Sequence, residues 1–131
     1  MTAIYNPNFR GECRSERMEQ IDAMGWLQKN HPDRWPLIFH CPNETRANVQ
    51  HMQMRAKEGV KPGIPDIIDP NNFRCGFFEL KRLDSTKSRP SKDQIEFLER
   101  AAAAGHFTAI CYGYEQFKIA YADFLRFVGC A

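Results

Sequence analysis

Asp66, Glu79 and Lys81 are the residues whose types and spacing could do chemistry together. They fall in the stretch GVKPGIPDIIDPNNFRCGFFELKR at 59–82, with Asp66 after a proline and Glu79 and Lys81 forming a Glu-x-Lys triplet among strand-forming residues. Strand alternation over Cys75–Lys81 sends Phe77, Glu79 and Lys81 to one face and Phe78 and Leu80 to the other. A carboxylate and an ammonium then stand side by side, about 7 Å apart at their Cα atoms from the strand rise. Ile67-Ile68 reads as a second short strand and the PNN at 70–72 as a turn, so the two strands pair and Asp66 comes next to Glu79. Two carboxylates at one strand edge repel each other unless a cation lies between them, and such oxygen ligands suit Mg²⁺ or Mn²⁺. An ion of this kind keeps several waters and is completed by phosphate oxygens, so the pair is half a site whose other half is a phosphate-bearing substrate. Lys81 could orient or help deprotonate the attacking water, or neutralise charge growing in the transition state. The reaction implied is phosphodiester hydrolysis.

The elements that must position these groups follow from patterning. Residues 1–14 read as an irregular arm and 15–131 as a single domain. Ser15 is a good N-cap, with Glu16 in the first turn of a helix whose apolar stripe is Met18, Ile21, Met24 and Leu27 and which ends before His31-Pro32. Glu16, Glu19 and Gln20 lie close along it, and any of them could reach a metal if the helix packs on the sheet. Pro36–Cys41 reads as a short apolar strand, and 44–58 as a helix with Val49, Met52 and Ala56 inward. His40, Asn43 and His51 read as capping or surface groups. Ser91 and Gln94 match a capping box and open a helix through Ala104 with Ile95, Leu98, Ala101 and Ala102 inward. Gln94 could be only that cap, or could reach the metal water or a phosphate. Phe107–Tyr112 is a buried strand, and Phe117, Tyr121, Phe124, Leu125 and Val128 give the last helix an aromatic stripe suited to a core or a subunit interface. The order α, β, α, β, β, α, β, α specifies an α/β fold, a small mixed β-sheet flanked by α-helices.

With 131 residues and 43% hydrophobic content the chain fits one globular domain. A net charge of +2 excludes the broad basic field of a nucleic-acid coating protein. The cations are clustered, however: Lys81 and Arg82 precede the loop LDSTKSRPSKDQ and Lys87, Arg89 and Lys92 lie within it, a loop read as flexible until substrate arrives. Five widely spaced cysteines without a Cys-x-x-Cys suit reduced thiols and no zinc site. The first residues lack the apolar core of a signal peptide and no run approaches a membrane span, so a soluble cytoplasmic protein is expected.

Taken together, these residues resemble the VRR-Nuc family (virus-type replication-repair nucleases) of the PD-(D/E)xK nuclease superfamily. The match runs from SERMEQ at 15–20 through CPNETR at 41–46, KEGVKPGIPD at 57–66 and FFELKR at 77–82 to S-x-x-Q at 91–94 and AGH at 104–106. The resemblance implies a restriction-endonuclease-like core and a metal-dependent nuclease in which Asp66 and Glu79 hold Mg²⁺ or Mn²⁺ and Lys81 assists the water. It adds Gln94, and a first-helix glutamate as a further metal-side carboxylate: Glu16, paired with Gln20, with Glu19 as fallback. Asn43 would contact substrate or support the site, while Arg82, Lys87, Arg89 and Lys92 would bind DNA. Stand-alone members of this kind look like phage or bacterial homodimers acting on branched DNA in recombination, replication or repair, without an organic cofactor, in the cytoplasm of the bacterial host. A twofold dimer suits symmetric cuts on a four-way junction, read by shape and phosphate. The competing expectations are a non-catalytic DNA-binding accessory module and a flap nuclease or exonuclease acting on linear ends.

Overall fold

The computed structural model of the protein describes residues 1–42 and 48–130. Its elements are β1 (Ala3–Tyr5), α1 (Glu16–Asn30), a single 3-10 turn (Trp35–Leu37), α2 (Val49–Lys57), β2 (Ile67–Asp69), β3 (Gly76–Lys81), α3 (Lys92–Ala103), β4 (Phe107–Tyr112) and α4 (Tyr114–Phe127). The strands form one mixed sheet in the order β1-β4-β3-β2, with β2 antiparallel to β3 and both β1 and β3 parallel to β4. β3, the strand carrying Glu79 and Lys81, is therefore internal and hydrogen-bonded on both sides.

Alternation along β3 and β4 divides the core in two. Phe78, Leu80, Ala109 and Cys111 face α1 and α4, where Ala23, Leu27, Phe117, Ala120, Tyr121 and Phe124 close the larger core. The Phe78 ring meets those of Phe117, Tyr121 and Phe124 at centroid distances of 5.1, 5.8 and 5.7 Å. The aromatic stripe of α4 is thus core. On the opposite face Ile110 and Tyr112, with Phe77 beside them, pack against Leu98 of α3. Ser91 and Gln94 form the expected capping box at the start of α3. All five cysteines are free.

Five expectations require correction. The first fourteen residues are not wholly irregular, because Ala3–Tyr5 pair in parallel with Ala109–Cys111 and complete the exposed edge of β4. Pro36–Cys41 is not a strand: the 3-10 turn, with proline in its first turn, uses up its beginning, and only Phe39 bridges to Ile68, through bonds of 3.1 and 2.9 Å. α2 starts at Val49, the preceding residues 43–47 lying outside the described set, and its supposed inner face of Val49, Met52 and Ala56 is exposed. That helix is held by its Asn48 cap, whose side chain accepts from the His51 N–H at 2.8 Å, and not by a buried stripe. In α1 the buried line is Glu19, Ala23 and Leu27, while Met18 and Ile21 are exposed. Ile95 of α3, read as inward, is exposed as well.

Candidate active site

The β2–β3 hairpin builds the centre of the site. Ile67 pairs with Phe78 and Ile68 with Phe77, and continuing that register by one residue sets Asp66 across from Glu79. Asp66 Oδ2 accepts from the Leu80 N–H at 2.7 Å, which fixes its carboxylate against β3. Glu79 is only 1% exposed. Its Oε2 accepts from Gln94 Nε2 at 3.3 Å and lies 3.7 Å from Lys81 Nζ, while its Oε1 is buried with no partner. Burial, and next the adjacent Asp66 carboxylate, push the Glu79 carboxyl up to about 10 against the pull of Lys81.

Around this pair lies a cavity of about 280 Å³. Asp66, Glu79 and Gln94 line one side; Glu16 and Gln20 of α1 line another, with Arg17 and His40 beside them. α1 brings Glu16 here because Ser15 caps the helix, its side chain accepting from the Met18 N–H. The Glu16 carboxylate accepts from the buried Ser88 hydroxyl. Both amide atoms of Gln20 are buried without a partner. His40 Nδ1–H donates to the Asp66 main-chain carbonyl at 2.6 Å. The approach to Asp66 is fixed by Gly63, whose φ of +76° favours glycine and where a Cβ would come within 2.4 Å of the Asp93 main chain.

The structure therefore brings Glu16, Gln20, Asp66, Glu79, Lys81 and Gln94 together and leaves other candidates apart. Glu19 is spent on structure: Arg14 donates to both its oxygens at 3.0 Å and the Tyr114 N–H donates at 2.7 Å. Asn43 lies outside the described residues. The Arg82 guanidinium donates to the main-chain carbonyls of Cys13 and Arg14, so it ties down the N-terminal segment instead of facing a ligand. Lys87 Nζ donates to the Gly11 carbonyl, while Arg89 and Lys92 are exposed. The loop that carries them is pinned: buried Asp84 accepts from the Thr86 side chain and from the Thr86 and Gly11 N–H groups, which hold its carboxyl below the usual range. Arg17 and Ser88 are additions to the expected set, and His40, expected as a capping or surface group, stands at the cavity. A lone histidine before Cys-Pro and a serine in a polar loop carry no spacing signal, whereas Asp-Ser-Thr at 84–86 is a turn signature that could have predicted the pinned loop.

The donor set can be tested against a divalent cation. Among the described residues no three His, Cys, Asp or Glu side chains already converge on a metal-binding point. Two hard oxygen donors, one with an orphaned lone pair, suit an ion that keeps most of its waters, as Mg²⁺ does. A cation between them would also offset the burial and the Asp66 repulsion that together raise Glu79. The residues fit such an ion.

No protein-family model and no curated protein sequence matches the chain. A solved structure described as a "VRR_NUC domain protein" superposes with a TM-score of 0.71 at 20% sequence identity, covering 88% of this chain and 92% of that one. At that identity the likeness establishes the fold, and the fold is the restriction-endonuclease-like α/β arrangement that the resemblance implies. Among the described residues no helix is long and apolar enough to cross a membrane.

Proposed function

We propose that the chain is a VRR-Nuc-type nuclease: a Mg²⁺- or Mn²⁺-dependent endodeoxyribonuclease that selects branched DNA by structure, resolves four-way junctions as a homodimer, and serves recombination, replication or repair. The observation that carries this reading is Glu79 Oε1, a buried acidic oxygen left without a donor beside a second carboxylate on a cavity wall. A folded chain leaves such a group incomplete at a site that a ligand completes.

Asp66 and Glu79 are the residues that would hold the ion, which when bound supplies Lewis-acid polarisation of the phosphate and an acidified water. Gln94 Nε2 orients Glu79 by donating to its Oε2. Lys81 Nζ stands on the same carboxylate and is the group that orients or deprotonates the attacking water. Glu16, on the α1 wall of the same cavity, is the further metal-side carboxylate, with the Gln20 amide beside it. Arg89 and Lys92 are the exposed cations of the adjoining loop and helix start, suited to backbone phosphates without reading bases.

The test is cleavage of a four-way DNA junction, with linear duplex and 5′-flap controls, in Mg²⁺, Mn²⁺ and EDTA, and with Glu79→Ala as the blank. Paired symmetric nicks on the junction alone, lost with EDTA and with the variant, are expected. Cutting of flaps or ends would replace the resolvase reading by a flap nuclease or exonuclease. DNA binding in EDTA without product in any metal would make the chain an accessory module.

A further inference from the structure

A second cavity, of about 560 Å³, is lined by residues that adjoin in sequence those lining the one at Asp66 and Glu79. The two share a ridge. Pro62 and Asp93 line the larger cavity, Ile64 and Gln94 the smaller, and Gly63 seats the ridge on the first turn of α3 so closely that no Cβ fits. Phe77 belongs to the larger cavity and lies on the same face of β3 as Glu79, two residues before it and about 7 Å away. A nucleic-acid strand with its phosphate at Glu79 would have the larger cavity beside it, across Gly63.

The walls suit one kind of occupant. Phe77 meets Phe97 edge to face at a centroid distance of 5.6 Å, and His106 packs on Phe77 at 5.5 Å, giving an aromatic lining on which a further flat ring can stack. His106 Nδ1 accepts from the Cys75 N–H at 3.0 Å, which puts the proton of the neutral imidazole on Nε2 and makes that edge a donor. The Asp93 and Glu96 carboxylates on the same wall would repel a phosphate but accept from the exocyclic amine of a base. Lys61 supplies a cation on which an adjoining sugar-phosphate can rest, while Arg100 donates to Glu96 Oε1 at 3.3 Å and steadies that carboxylate on the wall.

We propose that this cavity receives an unpaired nucleobase of the substrate strand, adjacent to the bond that is cut, stacked on Phe97 and held at its edge by His106, Asp93 and Glu96. This rests on the nuclease reading above and deepens it. A flap offers such a base already unpaired, and the base pairs at the crossover of a four-way junction open at lower cost than those inside a continuous duplex, so selectivity for branched DNA follows from the pocket.

The test uses the full chain on a four-way junction or 5′-flap DNA, whichever the wild type cuts, with one abasic site or one 2-aminopurine moved stepwise around the cut. An abasic site at one position beside the cut should lower wild-type kcat/KM roughly five- to hundredfold. Phe97→Ala should lose a similar factor on intact DNA and nothing further on that abasic substrate, while Phe97→Tyr keeps the wild-type pattern. In a Glu79→Gln background, 2-aminopurine at that position should brighten on binding, and adding Phe97→Ala should abolish the change. The wild-type abasic series is decisive even if Phe97→Ala folds poorly. Wild-type rates at every abasic position, or losses that add, would overturn the proposal. A Phe97→Ala variant that turns a dimer into a monomer while the abasic series stays flat would make the cavity a protein interface and overturn it too. A wild type that cuts no DNA in Mg²⁺ or Mn²⁺ would remove the nuclease reading beneath it, an outcome distinct from intact DNA cut without regard to the missing base.

Discussion

Strand β2 has a buried carboxylate at its end and a half-buried one just before its start, and the molecule treats them in opposite ways. Asp69 is fully buried, and every lone pair that matters is used: Arg34 donates at 3.3 and 3.1 Å, the Asn71 N–H at 3.0 Å, and the Tyr121 hydroxyl and Asn71 amide complete the shell. Asp66 instead faces a second acid, Glu79, which accepts from one amide at 3.3 Å and has an ammonium 3.7 Å away, beyond hydrogen-bond reach, with Oε1 left bare. The residue type is the same and the two stand three residues apart. What differs is the supply of donors, and it separates a carboxylate that finishes the scaffold from a pair that awaits a ligand.

Substitutions can break this contrast from either end. The largest effect expected is on catalysis: Asp66→Ala or Glu79→Ala should lower junction cleavage by on the order of a thousandfold or more while the fold and DNA binding persist. An assay in which either variant cuts near the wild-type rate would reassign the site. Asp69→Ala should do the reverse. It strands the Arg34 cation, 12% exposed at its side chain, and should cost about 3–5 kcal/mol, seen as a fall of roughly 10 °C or more in melting temperature.

A smaller effect sharpens the comparison through pH. The Glu79 carboxyl moves from 4.5 up to about 10 on folding, so ionising it opposes the fold, and without metal the protein loses stability as pH rises from 4.5 towards 10. At pH 8 in EDTA, Glu79→Gln should therefore melt above wild type by at least about 1 kcal/mol, or several degrees, and the gain should vanish near pH 4. Saturating Mg²⁺ should erase it at pH 8 by stabilising wild type alone. A variant less stable than wild type at pH 8 would show that the carboxylate is satisfied after all. Smallest is the loop: neutralising Lys87, Arg89 and Lys92 should weaken binding to all DNA sequences alike and flatten the salt dependence by up to about 0.9 for each phosphate no longer neutralised. An unchanged slope would leave these cations merely solvated.

The same contrast explains what could be read from the chain. Asp66 and Glu79 were legible because strand alternation and a short hairpin leave little freedom: a register slip of one would bury the wrong face. The capping box at Ser91–Gln94 is equally local. Other features depend on partners far away in sequence. β1 is three residues long and is a strand only because β4 offers an edge. Glu19 could take a place in the α1 core line only because Arg14 and the Tyr114 N–H neutralise it, which turned Met18 and Ile21 outward and removed Glu19 from the metal candidates. Arg82 looked like a phosphate ligand until the N-terminal segment supplied the carbonyls of Cys13 and Arg14. Tertiary satisfaction of polar groups, not propensity, decided each of these.

The most direct test of the central claim, that Asp66 and Glu79 form an incomplete carboxylate pair that a divalent cation completes, is the free Mn²⁺ signal in electron paramagnetic resonance during titration of the protein at neutral pH. Wild type and Asp69→Asn should both deplete free Mn²⁺, while the Asp66→Asn/Glu79→Gln double variant, still folded, should leave it free. Equal depletion by the double variant and wild type would place the ion elsewhere and contradict the account.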